Sequence, residues 1–190
     1  LLNSKVSSNI NIKNQYFDGL TSVSEFALIN NINIDSIKTA DINNKKVLSL
    51  FSEIDSKLVL FSGSSGQIIC KKLLSQNFFL HAHPGKLPEF KGSTTMYYSL
   101  LLKKNLACSV ILMSHKIDSG KILKTNTFKI PEDKKMIDYI YDPFIRAKTM
   151  QSLLMYYKKN NRLPLGNKND QSNKMYYIIH PVLKHIAIIS

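Results

Sequence analysis

An α/β fold with a mostly parallel sheet flanked by helices is the class this sequence predicts. Two observations carry it. Continuous apolar runs of strand length occur at KLVLFSG (57–63), NFFLHAH (77–83) and LACSVILMS (106–114). Segments of helical character stand between them, GQIICKKLLSQ (66–76) and STTMYYSLLLKKN (93–105). Runs that are apolar without alternation suit strands buried on both faces, as in a central parallel sheet, and strand–helix–strand order suits parallel pairing.

Taken in order, residues 1–20 give little signal and read as an arm. TSVSEFALINN (21–31) suits a short helix capped by Thr21 or Ser22. NKKVLSLFSEI (44–54) places apolar residues at 47, 48, 50, 51 and 54, the pattern of an amphipathic helix. The strand and helix pairs already quoted follow, and Ser93 stands where a cap for the second helix belongs. GKILKTNTFKI (120–130) alternates apolar and polar residues, which predicts a half-exposed, antiparallel strand. A long helix starts at Pro131–Asp133 and runs to about Lys159, with Ile137, Ile140, Tyr141, Phe144, Ile145, Leu153, Leu154 and Tyr157 on a 3.6-residue period. NNRLPLGNKNDQSNK (160–174) is a polar loop, and MYYIIHPVLKHIAIIS predicts one or two short strands. The expected organisation is one domain over 1–190, with 160–190 as a C-terminal extension.

Composition sets further bounds. With 190 residues and 44% hydrophobic content, the chain can bury a sizeable core. No apolar run reaches membrane-spanning length, and the polar start does not resemble a signal peptide. Cys70 and Cys108 are too few for a disulfide framework and read as free thiols of a reducing, cytoplasmic compartment. The net charge of +13 attracts anions, but only two of the cations are arginines, Arg146 and Arg162. Groove readout and phosphate clamps favour the arginine fork, so dedicated nucleic-acid binding is not expected.

Ligand sites of open α/β sheets gather at the carboxyl ends of the strands. Three loops meet that condition, SGSSG, HAHPGKLPEFKG and SHKIDSG, and they hold nearly every candidate catalytic group. SGSSG can cradle a phosphate, but it lacks the Lys and Ser/Thr ending of a P-loop and reads equally as a flexible turn. His81 and His83 are two residues apart, so in a strand both side chains share one face. With Asp118 they can make a two-histidine, one-carboxylate metal set. The same groups can instead transfer protons and stabilise an oxyanion on an acyl group. A core histidine bonded to a backbone carbonyl is the plainer alternative for either, and an Asx-turn for Asp118. His115 and His180 read as loop and structural histidines.

At these residues the chain resembles the folate-dependent formyltransferases, the family of glycinamide ribonucleotide, methionyl-tRNA and sugar-nucleotide N-formyltransferases. HAHPGKLPEFKG resembles their Asn-x-His-Pro-Ser-x-Leu-Pro-x-x-x-Gly segment, SVILMSHKIDSGKIL resembles the segment ending in Asp-x-Gly-x-Ile, and GQII falls where the family places a pteridine-binding loop. The likeness is clear over about 57–125 and weaker to about 150. It implies a Rossmann-like, formyltransferase-type domain with a short or truncated N-terminal half.

The resemblance also implies roles. His83 falls on the family's catalytic histidine and Asp118 on its catalytic aspartate, while His81 stands where the family usually has Asn. Gln67, Ile68, Ile69, Met113, Ser114 and His115 fall on positions lining the folate site, and Gly92, Ser93, Thr94 and Thr95 lie near the acceptor entrance. The implied co-substrate is 10-formyltetrahydrofolate, with no metal. The implied acceptor is a small amine, a nucleotide-linked amino sugar rather than tRNA, because the C-terminal barrel of the tRNA-acting members has no counterpart here. Hydrolysis of the formyl donor, and a catalytically degenerate binding domain, are the alternatives. A homodimer is compatible with either.

Overall fold

The computed structural model describes residues 16–17, 21–63, 66–169 and 174–190. The arm expected over 1–20 lies outside the described residues except for Tyr16 and Phe17, as do Ser64 and Ser65 of the SGSSG loop. The chain divides between Thr39 and Ala40 into two compact units. In the first, helix α1 (Val23–Ile29) opens with a reciprocal cap: the Ser22 hydroxyl accepts the Glu25 N–H at 3.2 Å, and Glu25 Oε2 accepts the Ser22 N–H at 2.9 Å.

The second unit contains α2 (Lys45–Glu53), β1 (Leu58–Phe61), α3 (Lys71–Gln76), β2 (Phe78–His83), α4 (Thr95–Lys103), β3 (Leu106–Leu112), β4 (Lys121–Phe128), α5 (Asp142–Asn160) and α6 (Pro181–Ile189). Among the described residues four strands lie in chain order, β1-β2-β3-β4. The fold class is the expected α/β one, but the pairing is mixed. Only β1 and β2 run parallel; β2–β3 and β3–β4 are antiparallel. β3 starts where β2 finishes, with His83 opposite Ser109 and Leu80 opposite Leu112. Apolarity reports burial on both faces and says nothing of strand direction, so the run at 106–114 reads the same either way. Among the described residues β1 also stands at the edge of this sheet rather than at its centre, and Leu60 is 52% exposed.

Side-chain alternation gives the sheet two distinct faces. Odd positions of β2 face a cluster of Phe79, Ile69 and Leu73 closed by Leu48, Phe51, Phe61 and Met113. The other face carries α5, which packs on β2, β3 and β4. Ile145, Thr149 and Leu153, four residues apart, are its buried stripe. Cys108 lies under that stripe, and burial pushes its thiol up to about 12, against a bond to Thr149 that pulls it down. A thiol so placed should be unreactive: Cys108 is expected to resist a thiol reagent in the native protein and to react at once in denaturant. Rapid native labelling of both cysteines would contradict the packing.

Four helical expectations need correction. Ser93 does not cap α4: Thr94 holds that place, in the left-handed region and with no side-chain cap bond. The segment 66–76 is helical only from Lys71, because Asn43 holds the residues before it extended. Its side chain accepts the Cys70 N–H at 2.8 Å and donates to the Ile68 carbonyl at 2.9 Å. The long helix expected from residue 131 starts with a 3-10 turn (Lys134–Met136) and a wider π turn (Ile137–Tyr141), and regular α structure begins at Asp142. Pro143 has no N–H to continue a ladder from residues upstream, which places it in the first turn of α5. The closing segment is a helix, not strands. The ring of His180 accepts the Val182 N–H at 3.3 Å as cap, and Pro181 occupies the first turn. Tyr97, Asp138 and Lys184 join α4, the π turn and α6 through bonds of 2.7 and 2.5 Å to the Asp138 carboxylate.

Candidate active site

The cross-strand row Phe61, His81, Ile111 on the odd face of the sheet floors a cleft of about 570 Å³. The site therefore lies against a sheet face. It is not gathered at three carboxyl ends, since β3 runs the other way. The loop after β3 reaches it by folding back across that face, and this brings Asp118 to His83.

The centre is a buried pair. His83 is 2% exposed, and its Nδ1 stands 3.4 Å from Asp118 Oδ1. Its Nε2 lies 2.7 Å from the Phe90 carbonyl oxygen. A carbonyl only accepts, so Nε2 carries a hydrogen. A carboxylate also accepts, so Asp118 Oδ1 offers a partner to an N–H at Nδ1. Asp118 is in the left-handed region at φ 47, where aspartate is tolerated. Its Oδ2 accepts the Gly92 N–H at 3.0 Å, and its main-chain carbonyl accepts from Asn169 at 2.6 Å. Burial alone would raise the Asp118 pKa. The hydrogen bond and charge of His83, the Gly92 N–H and the charge of His81 outweigh burial and hold the carboxyl below its ordinary value.

His81 is half-buried beside this pair. Its Nδ1 donates to the Phe61 carbonyl at 3.3 Å, again an acceptor only, which leaves Nε2 as the nitrogen with a lone pair. Burial depresses its pKa; the Phe61 bond and the charge of Asp118 oppose this, while Arg146 and His83 add to it. His81 is thus held toward its neutral form. Among the described residues, His81, His83 and Asp118 each bring one ligand-type atom within 4.8 Å of the others.

The residues expected at a folate site are split. Gln67, Ile68, Ile69, Met113 and Ser114 line the cleft; His115 does not and is exposed. Gly92, Ser93 and Thr94 line it too, as part of a structure the sequence does not announce. Lys91, Gly92 and Ser93 are stitched to the C-terminal segment. The Tyr176 N–H bonds the Lys91 carbonyl at 2.7 Å, and the Ser93 N–H bonds the Tyr176 carbonyl at 2.8 Å. Thr94 sits at φ 50, an unusual place for a β-branched residue, and its hydroxyl accepts the Ile179 N–H at 2.9 Å. Thr95 is fully buried and bonds the Pro84 carbonyl at 2.6 Å.

Sequence reasoning missed Arg146, Tyr176 and Tyr177. Arg146 lines the cleft, pairs with Asp142 at 2.6 Å and donates to the Ala82 carbonyl, between the two histidines, at 2.9 Å. An Asp–Arg pair four residues apart on a helix in a chain with two arginines was the available signal. Tyr176 stacks on Phe90 at 5.5 Å and against Tyr98 at 4.5 Å, and nothing in its local sequence marks it.

No protein-family model matches the chain. It is similar to a methionyl-tRNA formyltransferase of Finegoldia magna, 27% identical over 114 residues, which is 58% of this chain and 36% of that protein. It is similar in structure to a methionyl-tRNA formyltransferase from Clostridium thermocellum, with a TM-score of 0.58 and 19% identity over 84% of this chain and 67% of that one. It is also similar to a sugar N-formyltransferase from Shewanella, with a TM-score of 0.54 and 21% identity over 77% of this chain and 64% of that one. At these identities the structural likeness is one of fold. The chain spans about a third of the length of the curated relative and less than two thirds of the Shewanella protein.

Proposed function

We propose that this chain, which is similar in part of its sequence and in its fold to formyltransferases, transfers a formyl group from 10-formyltetrahydrofolate to the amino group of a small acceptor, a nucleotide-linked amino sugar. The observation that carries the reading is the buried His83–Asp118 pair, fixed by Phe90 and Gly92, with His81, whose Nδ1 bonds the Phe61 carbonyl, beside it.

The acceptor nitrogen attacks the formyl carbon, and charge grows on the formyl oxygen. The His83 Nδ1–H faces Asp118 at 3.4 Å, a long contact for which a developing oxyanion can compete. Asp118 orients the ring and balances its charge. His81 Nε2 takes the amine proton as the new C–N bond forms. The bond to N10 then breaks, and the same proton passes to that nitrogen, so the proton count closes. This assigns His81 a base role in place of the amide donor that an Asn would supply.

In this reading the pteridine rests against Gln67–Ile69 and Met113–Ser114, which line the cleft. The acceptor enters past Gly92–Thr94 and the Tyr176–Tyr177 wall, where Arg146 and Lys116 supply positive charge for a phosphorylated ligand. A sugar acceptor is supported by that charge and by the likeness to a sugar enzyme. A cytoplasmic setting suits the free Cys70 and Cys108, and among the described residues no helix is long and apolar enough to cross a membrane.

The test is incubation with 10-formyltetrahydrofolate and a panel of nucleotide-linked amino sugars, read by mass spectrometry. A formylated sugar and stoichiometric tetrahydrofolate are expected. Donor consumption at the same rate with and without amine would replace transfer by hydrolysis, and no consumption with any amine would defeat the reading.

A further inference from the structure

We propose that His81, His83 and Asp118 form a binding site for a divalent transition-metal ion of the zinc class, and that an ion held there shuts off the acyl-transfer chemistry. Two imidazoles and one carboxylate are a ligand set such ions accept. Here they converge, with one donor atom of each within 4.8 Å of the others. A tetrahedral ion with bonds of about 2.1 Å holds its ligands roughly 3.4 Å apart. Asp118 Oδ1 and His83 Nδ1 already stand at 3.4 Å, and a ring nitrogen of His81 lies within 4.8 Å of both.

The surroundings match what metal-ligating histidines require. Such residues donate their second ring N–H to a carbonyl or carboxylate, which fixes the tautomer and aims the other nitrogen at the ion. His83 does this through Nε2 to Phe90, and His81 through Nδ1 to Phe61. Asp118 is braced by Gly92 through the oxygen that is not the ligand. On binding, the ion replaces the His83 Nδ1 hydrogen, and that proton is released to solvent. The fourth position faces the cleft. The His81 lone pair and the His83 N–H that transfer would use are then both engaged. An Asn at 81, as the family resemblance implies, would offer only a weak amide oxygen, so the site belongs to this chain's own departure from that pattern.

The test starts from the full chain freed of metal by a chelator that is then removed. Zn²⁺ is titrated in competition with a chromophoric chelator, and Co²⁺ is added separately to read its visible spectrum. One equivalent of Zn²⁺, a cobalt spectrum of nitrogen and oxygen ligation, and at least a tenfold loss of affinity in His81→Asn are expected. Asp118→Asn should lose affinity as well, while His185→Ala, an exposed residue of α6, should bind as the parent does. Thermal melts of the metal-free variants confirm that they are folded. Less than one equivalent bound, or equal affinity in His81→Asn and the parent, overturns the site. Binding is read without folate or amine, so its failure and that of formyl transfer are separate results. Formyl transfer that stays uninhibited with the site filled overturns the second half of the proposal.

Discussion

Asp118→Asn is expected to lower kcat/KM for formyl transfer by about 10²- to 10⁴-fold while the protein stays folded. The substitution keeps the shape of the side chain. Its amide oxygen can still accept the Gly92 N–H, and the bond from Asn169 goes to the main chain and is untouched. What disappears is the negative charge opposite His83. The His83 ring then loses the anionic partner that orients it inside a buried site, so its support of a developing oxyanion is weakened. Steady-state rates and a thermal melt, measured together, separate chemistry from folding. A variant with near-normal turnover would remove Asp118 from the mechanism, and one that failed to fold would show the pair to be structural.

Gly92→Ala is expected to cost about 3 kcal/mol or more of stability and to remove activity as well. Gly92 sits at φ +108, a conformation that a side chain strains, and an added Cβ would stand 2.1 Å from the Tyr176 carbonyl oxygen. That oxygen is backbone and is itself bonded to the Ser93 N–H, so it cannot yield alone. The C-terminal segment must separate from Lys91–Ser93, or Gly92 must move. Either change carries its N–H away from Asp118. For a chain of this size the loss corresponds to a fall of about 6–12 °C in Tm. An unchanged Tm with normal activity would show that the 176–179 segment is not the wall of the site.

How much of this was legible depends on whether a signal is local. The strands, the cap Ser22 and much of the stripe of α5 follow from periodicity and short-range hydrogen bonding, and they stand close to where the sequence predicts. The pair His83–Asp118 was reachable because two short motifs carry it. Strand direction was not, since 106–114 is apolar on both faces whichever way it runs. Nor was the C-terminal wall. Tyr176 joins the site through backbone bonds to residues more than eighty positions earlier, which no local pattern encodes. The ring contacts of the two histidines were not legible either: Nδ1 of His81 bonds the Phe61 carbonyl, whereas His83 meets the Phe90 carbonyl through Nε2 and Asp118 through Nδ1.

The most direct measurement is a crystal structure of the metal-free protein with 5-formyltetrahydrofolate, a stable relative of the donor. The pteridine is expected against Gln67–Ile69 and Met113, with the formyl group about 3–3.5 Å from His81 or His83. A folate bound outside the cleft, or one whose formyl group points away from both histidines and Asp118, would contradict formyl transfer at this site.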